Sequence, residues 1–251
     1  MDKGGGLFLR QGGKTRQKKI IFKYFPSTDK YDTYVEPFFG GGTIGMEAPR
    51  VKKMVAGDTD TFVVNMFKDF KSLSVKQLES MDFTPDKEKF NRIMDEVPKS
   101  KIKRFYKGMY LGYNSYAGNR EFYNKRKTNG IVGSNFTRNI EKYKEQLEPF
   151  TILKKDYKYM INTYDSPTTF FYLDPPYADT NVKPYETGNI DHPHLAKMLR
   201  NIKGLFMLSH NDTLYIRKLY KGFRFIKYSS KQADIAKGGI REVPEVLILN
   251  Y

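Results

Sequence analysis

The sequence predicts an α/β protein whose sheet is mostly parallel. Apolar runs rich in β-branched and aromatic residues predict strands at 33–39, 52–58, 150–157, 168–174 and 205–212. Between them, apolar residues recur at helical spacing, as in "TDTFVVNMFKDFKSLS" and "HLAKMLRNIKG". Strands that alternate with helices are typical of parallel sheets linked by helical crossovers.

A polar, basic stretch from about 68 to 149 interrupts this alternation. Within it, residues 75–110 have a charged helical pattern. Residues 112–133 are rich in Gly and Asn, and Asn129-Gly130 is a tight-turn signal. We therefore predict one domain formed by residues 1–67 and 151–251, with residues 68–150 inserted as a mostly helical lobe that carries a hairpin.

The remaining elements follow from local pattern. "TYVEPFF" (33–39) leads into a glycine turn, after which "TIGMEAPR" predicts a short helix, and "KKMVAGD" (52–58) predicts a strand that ends in Asp58. "FRFIKYSS" and "EVPEVLILNY" are strand-like. The overlapping stretch "AKGGIREVPEVL" leaves open a flexible loop over the active site or a simple turn.

Composition sets the class of protein. A chain of 251 residues with 39% hydrophobic and 15% aromatic residues can bury a sizeable core. It has no Cys, which excludes disulfides and zinc–thiolate sites and fits a reducing compartment. No run approaches the roughly 20 apolar residues of a membrane span. We expect an intracellular protein, cytoplasmic or encoded by a virus or phage, that is neither secreted nor membrane-bound.

The charge is strongly positive and unevenly placed. The net charge is +16, and the segment from Lys99 to Lys158 contains 15 Lys and Arg against 5 Asp and Glu. Aromatic rings alternate with these cations in "KRFYKGMY" and "NREFYNKRK". Cations attract phosphates, and rings stack on or wedge between bases, so the pattern favours a nucleic acid over a merely solvated surface.

The stretch "EPFFGGGTIG" places glycines directly after a predicted strand. The spacing Gly40-x-Gly42-x-x-Gly45 matches the dinucleotide fingerprint, and Asp58 ends the next strand, where a carboxylate can bind ribose hydroxyls. The pattern alone leaves two interpretations open. One is a nucleoside-type ligand, and the other is a glycine turn with Asp58 capping a helix.

The stretch "YLDPPYAD" ends a buried strand with a carboxylate and two prolines. Asp174 can accept one hydrogen of an exocyclic amino group, and the carbonyl of Pro175 can accept the other, because proline keeps its C=O. Tyr177 can stack on a planar base. Asp174-Pro175-Pro176-Tyr177 therefore predicts a pocket for an amino-bearing base rather than a simple strand end.

Together these motifs resemble the Dam-type adenine-N6 DNA methyltransferases, the D12 class of group alpha. "QGGK" (11–14) is similar to that family's GGK motif, "VEPFFGGGTIG" to its cofactor loop and "AGDTD" to its second strand end. "KKDY", "DPPY" and "LSHNDT" resemble later motifs in the family's order, the last with two residues exchanged. The resemblance covers nearly the whole chain. It implies S-adenosylmethionine as methyl donor, no metal, and a Rossmann-like methyltransferase fold.

The resemblance also implies residue roles. Arg10 and Lys14 would lie near the cofactor, although an aromatic residue is usual in the family just before the GGK motif. Further cofactor contacts would come from Phe38, Gly40 and Gly42 at the methionine end, Asp58 at the ribose, Asp156 and Tyr157 at the adenine, and Asp174. The target base would be held by Asp174, Pro175, Pro176 and Tyr177.

The middle stretch resembles the family's DNA-reading region more loosely. Tyr116 is similar to the ring that wedges into DNA, and Arg120 is the candidate base reader, since Arg bonds both guanine acceptors in the major groove. Phosphate contacts are assigned to Lys125, Arg126, Lys127 and Arg138. The chain has "TNGIVG" where the family has FNxPxG, so the target sequence cannot be copied from relatives.

The sequence thus predicts an adenine-N6 methyltransferase that acts on double-stranded DNA by base flipping and direct methyl displacement. A homodimer on DNA and a cognate restriction endonuclease are the further partners considered. Three alternatives stay open at this stage: an enzyme acting on RNA or cytosine N4, an inactive DNA-binding relative, and a nicotinamide-dependent oxidoreductase. Against the last, DPPY has no role in hydride transfer.

Overall fold

A computed structural model describes residues 6–8, 12–115, 118–124, 136–178, 190–234 and 239–251, with the backbone alone for 231–234 and 239–241. Five of the predicted site residues lie outside these ranges: Arg10, Tyr116, Lys125, Arg126 and Lys127. Within the described ranges, no helix is both long and apolar enough to cross a bilayer.

A seven-stranded mixed sheet organises the chain. Its strands are β1 (Thr33–Glu36), β2 (Lys53–Asp58), β3 (Phe150–Lys154), β4 (Thr169–Leu173), β5 (Leu205–Asn211), β6 (Arg224–Asp234) and β7 (Gly239–Leu249). The strand order is β3-β2-β1-β4-β5-β7-β6. β2, β1, β4 and β5 pair in parallel, whereas β7 runs antiparallel to both β5 and β6. This order confirms the predicted Rossmann-like methyltransferase fold.

The helices are α1 (Lys18–Lys23), α2 (Thr61–Ser72), α3 (Val75–Glu79), α4 (Lys87–Asp95), α5 (Lys101–Asn114), α6 (Ile140–Leu147), α7 (Tyr157–Tyr164), α8 (His192–Arg200) and α9 (Leu214–Leu219). Several begin at a residue whose side chain accepts a hydrogen bond from a backbone N–H of the first turn, the usual way to satisfy a helix start: Ser74, Asp86, Ser100, Asp156, Asp191 and Thr213.

Three local predictions differ from the structure. The helix expected in "TIGMEAPR" is a single 3-10 turn, Gly45–Glu47. The strand expected through Tyr157 ends at Lys154, because Asp156 caps a new helix. The stretch "AKGGIREVPEVL" was expected to be a loop or a turn, but from Gly239 onward it belongs to β7, paired along its length with β6.

The chain divides into two compact units. The first comprises Met1–Thr15, Gly40–Ala48 and Thr61–Ile152, and so includes the predicted insert 68–150 together with other segments. Its core is rich in aromatic residues, among them Phe67, Phe70, Phe105 and Phe136, each at most 1% exposed. Arg104 on α5 donates two hydrogen bonds of 2.7 Å to the buried Asp69 on α2, which fixes these two helices to each other.

The second unit comprises Arg16–Phe39, Pro49–Asp60 and Leu153–Tyr251. All five residues of β4 are buried, which explains its continuous apolar pattern. The core contains Val35, Val55, Phe171, Leu208 and Ile248, one from each of β1, β2, β4, β5 and β7. The carboxyl ends of β1, β2, β4 and β5 therefore meet at one edge of a sheet whose interior is fully packed.

Candidate active site

Three predicted site residues lie at the carboxyl ends of strands in the second unit's sheet: Phe38 after β1, Asp58 at the end of β2 and Asp174 after β4. Thr33 of β1 is paired with Lys53 of β2 and with Thr169 of β4. Counting the same five residues along each chain from these partners gives Phe38, Asp58 and Asp174. Past β1, Phe39 N donates to Gly57 O at 3.0 Å, one residue further along than the regular parallel register would place this donor. In an open parallel sheet, ligands bind at this carboxyl edge.

Phe38 and Tyr157 form a stacked aromatic pair. Their ring centroids are 5.7 Å apart and their planes differ by 27°. The Tyr157 hydroxyl donates to Asp191 O at 3.4 Å and lies 3.3 Å from His194 Nδ1. Burial, with smaller contributions from Asp191 and Asp156, raises the pKa of Tyr157 to about 12, so the phenol stays neutral. The pair presents fixed rings beside the ends of β1 and β3.

Close packing under α7 holds Tyr157 in place. A Cβ added at Gly57 would lie 2.9 Å from both Sδ and Cε of Met160, so α7 approaches β2 as near as a glycine allows. Asp156 is exposed, and its Oδ1 accepts a 2.8 Å hydrogen bond from Tyr159 N at the helix start. Asp58, partly exposed at the end of β2, accepts from Asp60 N at 2.9 Å. Both carboxylates thus order the turns on which they lie.

The glycine loop belongs to the first unit and has the backbone that its sequence predicts. Gly40 and Gly42 have φ values of 51° and 74°, which side chains disfavour. Leu7 N donates to Gly41 O at 2.9 Å, and a Cβ at Gly6 would lie only 1.9 Å from that oxygen. The structure therefore brings the segment before the GGK motif onto the glycine loop.

Lys14, the last residue of the GGK motif, is 6% exposed, although lysine is rarely buried. Its Nζ donates to Gly12 O at 3.2 Å.

The DPPY stretch turns sharply after β4. Asp174 is partly exposed, Pro175 is buried and Pro176 is exposed. The Tyr177 hydroxyl donates to Glu245 Oε2 at 3.1 Å and lies 3.3 Å from Ser209 Oγ. Burial first, then the charges of Asp174 and Glu245, raise the pKa of Tyr177 well above its ordinary value. Tyr177 is therefore a neutral, anchored ring next to a carboxylate.

Residues 209–211 of β5 contact the DPPY turn through hydrogen bonds and ring stacking. The ring of His210 stacks on Tyr177 with centroids 4.8 Å apart and planes 20° apart. Ala178 N donates to His210 Nε2 at 3.4 Å, and Asn211 Nδ2 donates to Ala178 O at 3.1 Å. Because Nε2 accepts, the proton is assigned to Nδ1, whose N–H donates a hydrogen bond to Asn211 Oδ1. The "SHN" of "LSHNDT" thus fixes both the ring and the backbone after DPPY.

Sequence reasoning missed Glu245 of β7. It is 2% exposed, and its carboxylate accepts hydrogen bonds from Tyr177, from Tyr228 at 2.7 Å and from Ser230. Burial is the main cause that raises the pKa of Tyr228 above its ordinary value. The available signal was an acidic residue inside the apolar run "VPEVLIL", since a fully buried carboxylate is uncommon and needs partners.

The described part of the predicted DNA-binding set consists of Arg120 and Arg138. Arg120 has a φ of 64°, and its guanidinium carbon lies 3.8 Å from the centroid of the Phe62 ring. Its backbone N donates to Ser115 Oγ at 2.9 Å, next to the Ser115–Tyr123 bridge. Arg138 is exposed. The structure orders Arg120 by a cation–π contact, whereas the side chain of Arg138 faces solvent.

No group of three or more His, Asp or Glu side chains that could ligate a metal occurs in the described ranges.

The sheet order and the acidic, proline-containing turn at the end of β4 define a Rossmann-like methyltransferase. The chain belongs to the D12 class of N6 adenine-specific DNA methyltransferases, whose family model matches residues 11–233.

The curated proteins that this chain is similar to are named Type II methyltransferases. The Type II methyltransferase M.MjaIII of Methanocaldococcus jannaschii is 26% identical to this chain, and the match covers 96% of each protein. The Type II methyltransferase M.CviBI of Paramecium bursaria Chlorella virus NC1A is 26% identical over 88% of each. M1.LlaDCHI of Lactococcus lactis subsp. cremoris is 24% identical, covering 96% of this chain and 93% of the relative.

Proposed function

We propose that this protein transfers the methyl group of S-adenosylmethionine to N6 of a specific adenine that is flipped out of duplex DNA. One observation carries the proposal. Asp174 lies at the carboxyl edge of the sheet, as Phe38 and Asp58 do, and it is followed by the anchored ring of Tyr177. A carboxylate that accepts hydrogen bonds and a fixed aromatic plane are the two features that an amino-bearing base requires.

On the side of the target base, Asp174, Pro175 and Tyr177 have separate roles. Asp174 accepts one N6 hydrogen, and the carbonyl of Pro175 accepts the other. Tyr177 stacks on the flipped ring. Positive charge develops on N6 as it attacks, and the nearby carboxylate of Asp174 stabilises that charge. The two hydrogen bonds also orient the N6 lone pair, so the amino group is positioned before the reaction begins.

On the cofactor side, the residues present fit S-adenosylmethionine. Asp58 offers a carboxylate for ribose hydroxyls, and Asp156 and Tyr157 border the adenine. The positive φ of Gly40 and Gly42 suits close approach of a ligand to the backbone. When bound, the sulfonium would supply an activated methyl group, so the residues of this chain bind and align the reactants and stabilise the charge that develops on N6.

On the DNA side, we propose the segment 68–150 as the target-recognition region and 1–67 with 151–251 as the catalytic domain. The net charge of +16 supports a polyanionic substrate. Arg120 is the proposed base reader, and Arg138 the proposed phosphate contact. Tyr116, Lys125, Arg126, Lys127 and Arg10 keep the roles that the family resemblance implies.

The reaction is tested with purified protein, labelled S-adenosylmethionine and duplex DNA, followed by digestion to nucleosides and mass spectrometry. The expected product is N6-methyladenine. N4-methylcytosine, methylation of RNA alone, or DNA binding without transfer would each overturn the proposal. Modification-sensitive sequencing of DNA from cells that express the protein then identifies the target sequence.

The curated relatives are named Type II methyltransferases. Their names support the further proposal that this enzyme protects DNA from a restriction endonuclease with the same target. Methylated plasmid should resist that nuclease, whereas plasmid from cells with an inactive variant should be cut. Light scattering of the protein with target DNA tests whether it acts as a homodimer.

A further inference from the structure

We propose that Glu245 is a positioning residue for the target-base pocket, acting through the hydroxyl of Tyr177. This inference rests on the proposed function, in which Tyr177 stacks on the flipped adenine. Glu245 does not touch the base in this account. Its effect is to fix where the Tyr177 ring lies.

The location of Glu245 follows from the strand register. On β7 it is paired with Asn211 of β5 and with Tyr228 of β6. Both carboxylate oxygens are engaged: Oε2 accepts from Tyr177 and Tyr228, and Oε1 accepts from Ser230. Ser209 Oγ lies 3.2 Å from the Tyr228 hydroxyl and 3.3 Å from that of Tyr177.

A purely structural role does not explain the choice of a carboxylate. Moving a carboxylate out of water is expensive, and a well-packed apolar residue would stabilise the strand more cheaply. Three hydroxyl groups donate to the Glu245 carboxylate, and one of them belongs to the DPPY turn. A hydrogen bond to an ionised acceptor is about twice as strong as one between neutral groups. The carboxylate therefore gives Tyr177 a stronger anchor than an amide or hydroxyl would.

Two contacts fix the Tyr177 ring, and each restricts a different motion of it. The phenolic oxygen lies on the Cβ–Cζ axis, so its bond to Glu245 fixes where that axis points but not rotation about it. The ring of His210, stacked 4.8 Å from Tyr177, fixes the rotation. Together they define one plane against which a base can stack. Loss of the Glu245 anchor should therefore reduce methyl transfer more than it reduces cofactor binding.

Glu245→Gln is the variant of choice, because the amide oxygen can still accept from the two phenols while its NH2 group faces Ser230. We expect the single-turnover rate of adenine methylation to fall about tenfold, as for a weakened hydrogen bond to a charged group. The dissociation constant for S-adenosylmethionine should stay within about twofold. Tyr220→Phe is the matched control, since it removes another buried phenol hydroxyl from the same compact unit, and its rate should not change.

A double-mutant cycle decides the question. In a Tyr177→Phe background there is no hydroxyl to anchor, so adding Glu245→Gln should change the rate less than about twofold. An equal loss in both backgrounds would overturn the inference and leave Glu245 as a structural residue. If Glu245→Gln does not melt cooperatively, Glu245→Asp replaces it, because it withdraws the carboxylate by one methylene and enters the same cycle.

A second readout does not depend on methyl transfer. With 2-aminopurine at the target position, stacking of the flipped base on Tyr177 should quench its fluorescence. Glu245→Gln should weaken this quenching when Tyr177 is present and should have no effect on it in the Tyr177→Phe variant. Quenching unchanged by Glu245→Gln would count against the inference. A wild-type protein that methylates no adenine would instead refute the proposed function, so the two failures are distinguishable.

Discussion

The rings of Phe38 and Tyr157 stack with centroids 5.7 Å apart, although they come from different sequence segments of the second unit, Arg16–Phe39 and Leu153–Tyr251. Phe38 follows β1, and Tyr157 begins the helix after β3. The contact joins the "EPFF" and "KKDY" motifs, which the sequence could only suggest as neighbours.

Phe38→Ala should raise the dissociation constant for S-adenosylmethionine about tenfold, because it removes one ring of a stacked pair and leaves Tyr157 mobile. Tyr157→Phe is the matched comparison. It keeps the stacked ring and loses only the contacts of the hydroxyl, so its affinity should change little. Isothermal calorimetry measures both, and equal affinities for the two variants would show that the pair does not border the cofactor.

Asp174→Ala should abolish methyl transfer while leaving DNA affinity and thermal stability largely intact. A group that orients a nucleophile and stabilises developing charge is typically worth ~2.7–4 kcal/mol, a loss of about 100- to 1,000-fold in rate. Asp29→Ala is the control, since Asp29 is exposed before the amino end of β1. Single-turnover kinetics report the rates. Near-normal turnover of the Asp174 variant would remove this residue from the mechanism.

Asp58→Ala should act through the cofactor rather than through the chemical step. The loss of a charged hydrogen-bond acceptor for ribose corresponds to about 1.5–3 kcal/mol, or roughly 10- to 150-fold in dissociation constant. Asp58→Asn keeps the oxygen that accepts from Asp60 N and should lose less. Unchanged calorimetric affinity in the alanine variant would show that the ribose assignment is wrong.

Gly42→Ala should destabilise the first unit, because Gly42 has a φ of 74° and an added Cβ would lie 2.9 Å from Phe67 Cζ. We expect a loss of about 1–3 kcal/mol, measured as a lower melting temperature. Gly112→Ala is the control. Gly112 lies in α5, and among the described residues no heavy atom comes within 4 Å of its added Cβ, so alanine should be neutral or gain about 0.5–1 kcal/mol.

Two arginines should separate sequence reading from phosphate binding. Arg120→Ala should weaken binding to the target sequence by about 1–3 kcal/mol and weaken binding to other sequences less. Arg138→Ala should weaken all sequences alike and reduce the log–log salt slope by about 0.9. Binding to single-base variants of the target at several salt concentrations distinguishes them. If Arg120→Ala affects right and wrong sequences equally, Arg120 binds phosphate.

Several strands and turns were predictable because short stretches of sequence determine their backbone conformation. The buried strand before Asp174 is a continuous apolar run, and the glycines after Phe39 need positive φ, so both motifs predicted their own backbone. The start of α7 was missed, although Asp156 is a standard helix-capping residue. There, the predicted strand 150–157 was extended through the cap to Tyr157, an aromatic residue of the kind that strands favour.

The contacts around Tyr177 were not predictable in the same way. Glu245 lies 68 residues further along the chain, and only the pairing of β7 with β5 and β6 brings it to the phenol. No local pattern within the sequence links those two positions. His210 lies in the "LSHNDT" motif that the sequence revealed, but its stacking on Tyr177 depends on the register of β4 with β5.

The position of β7 has a consequence for biosynthesis. This strand follows β6 in the chain but lies between β5 and β6 in the sheet. During translation, β6 therefore emerges before the strand that links it to the rest of the sheet. Until residues 239–249 leave the ribosome, Tyr177 has no anchor from Glu245. A nascent chain that ends before β7 would thus have its glycine loop and DPPY turn already synthesised but would lack the hydrogen bond from Tyr177 to Glu245.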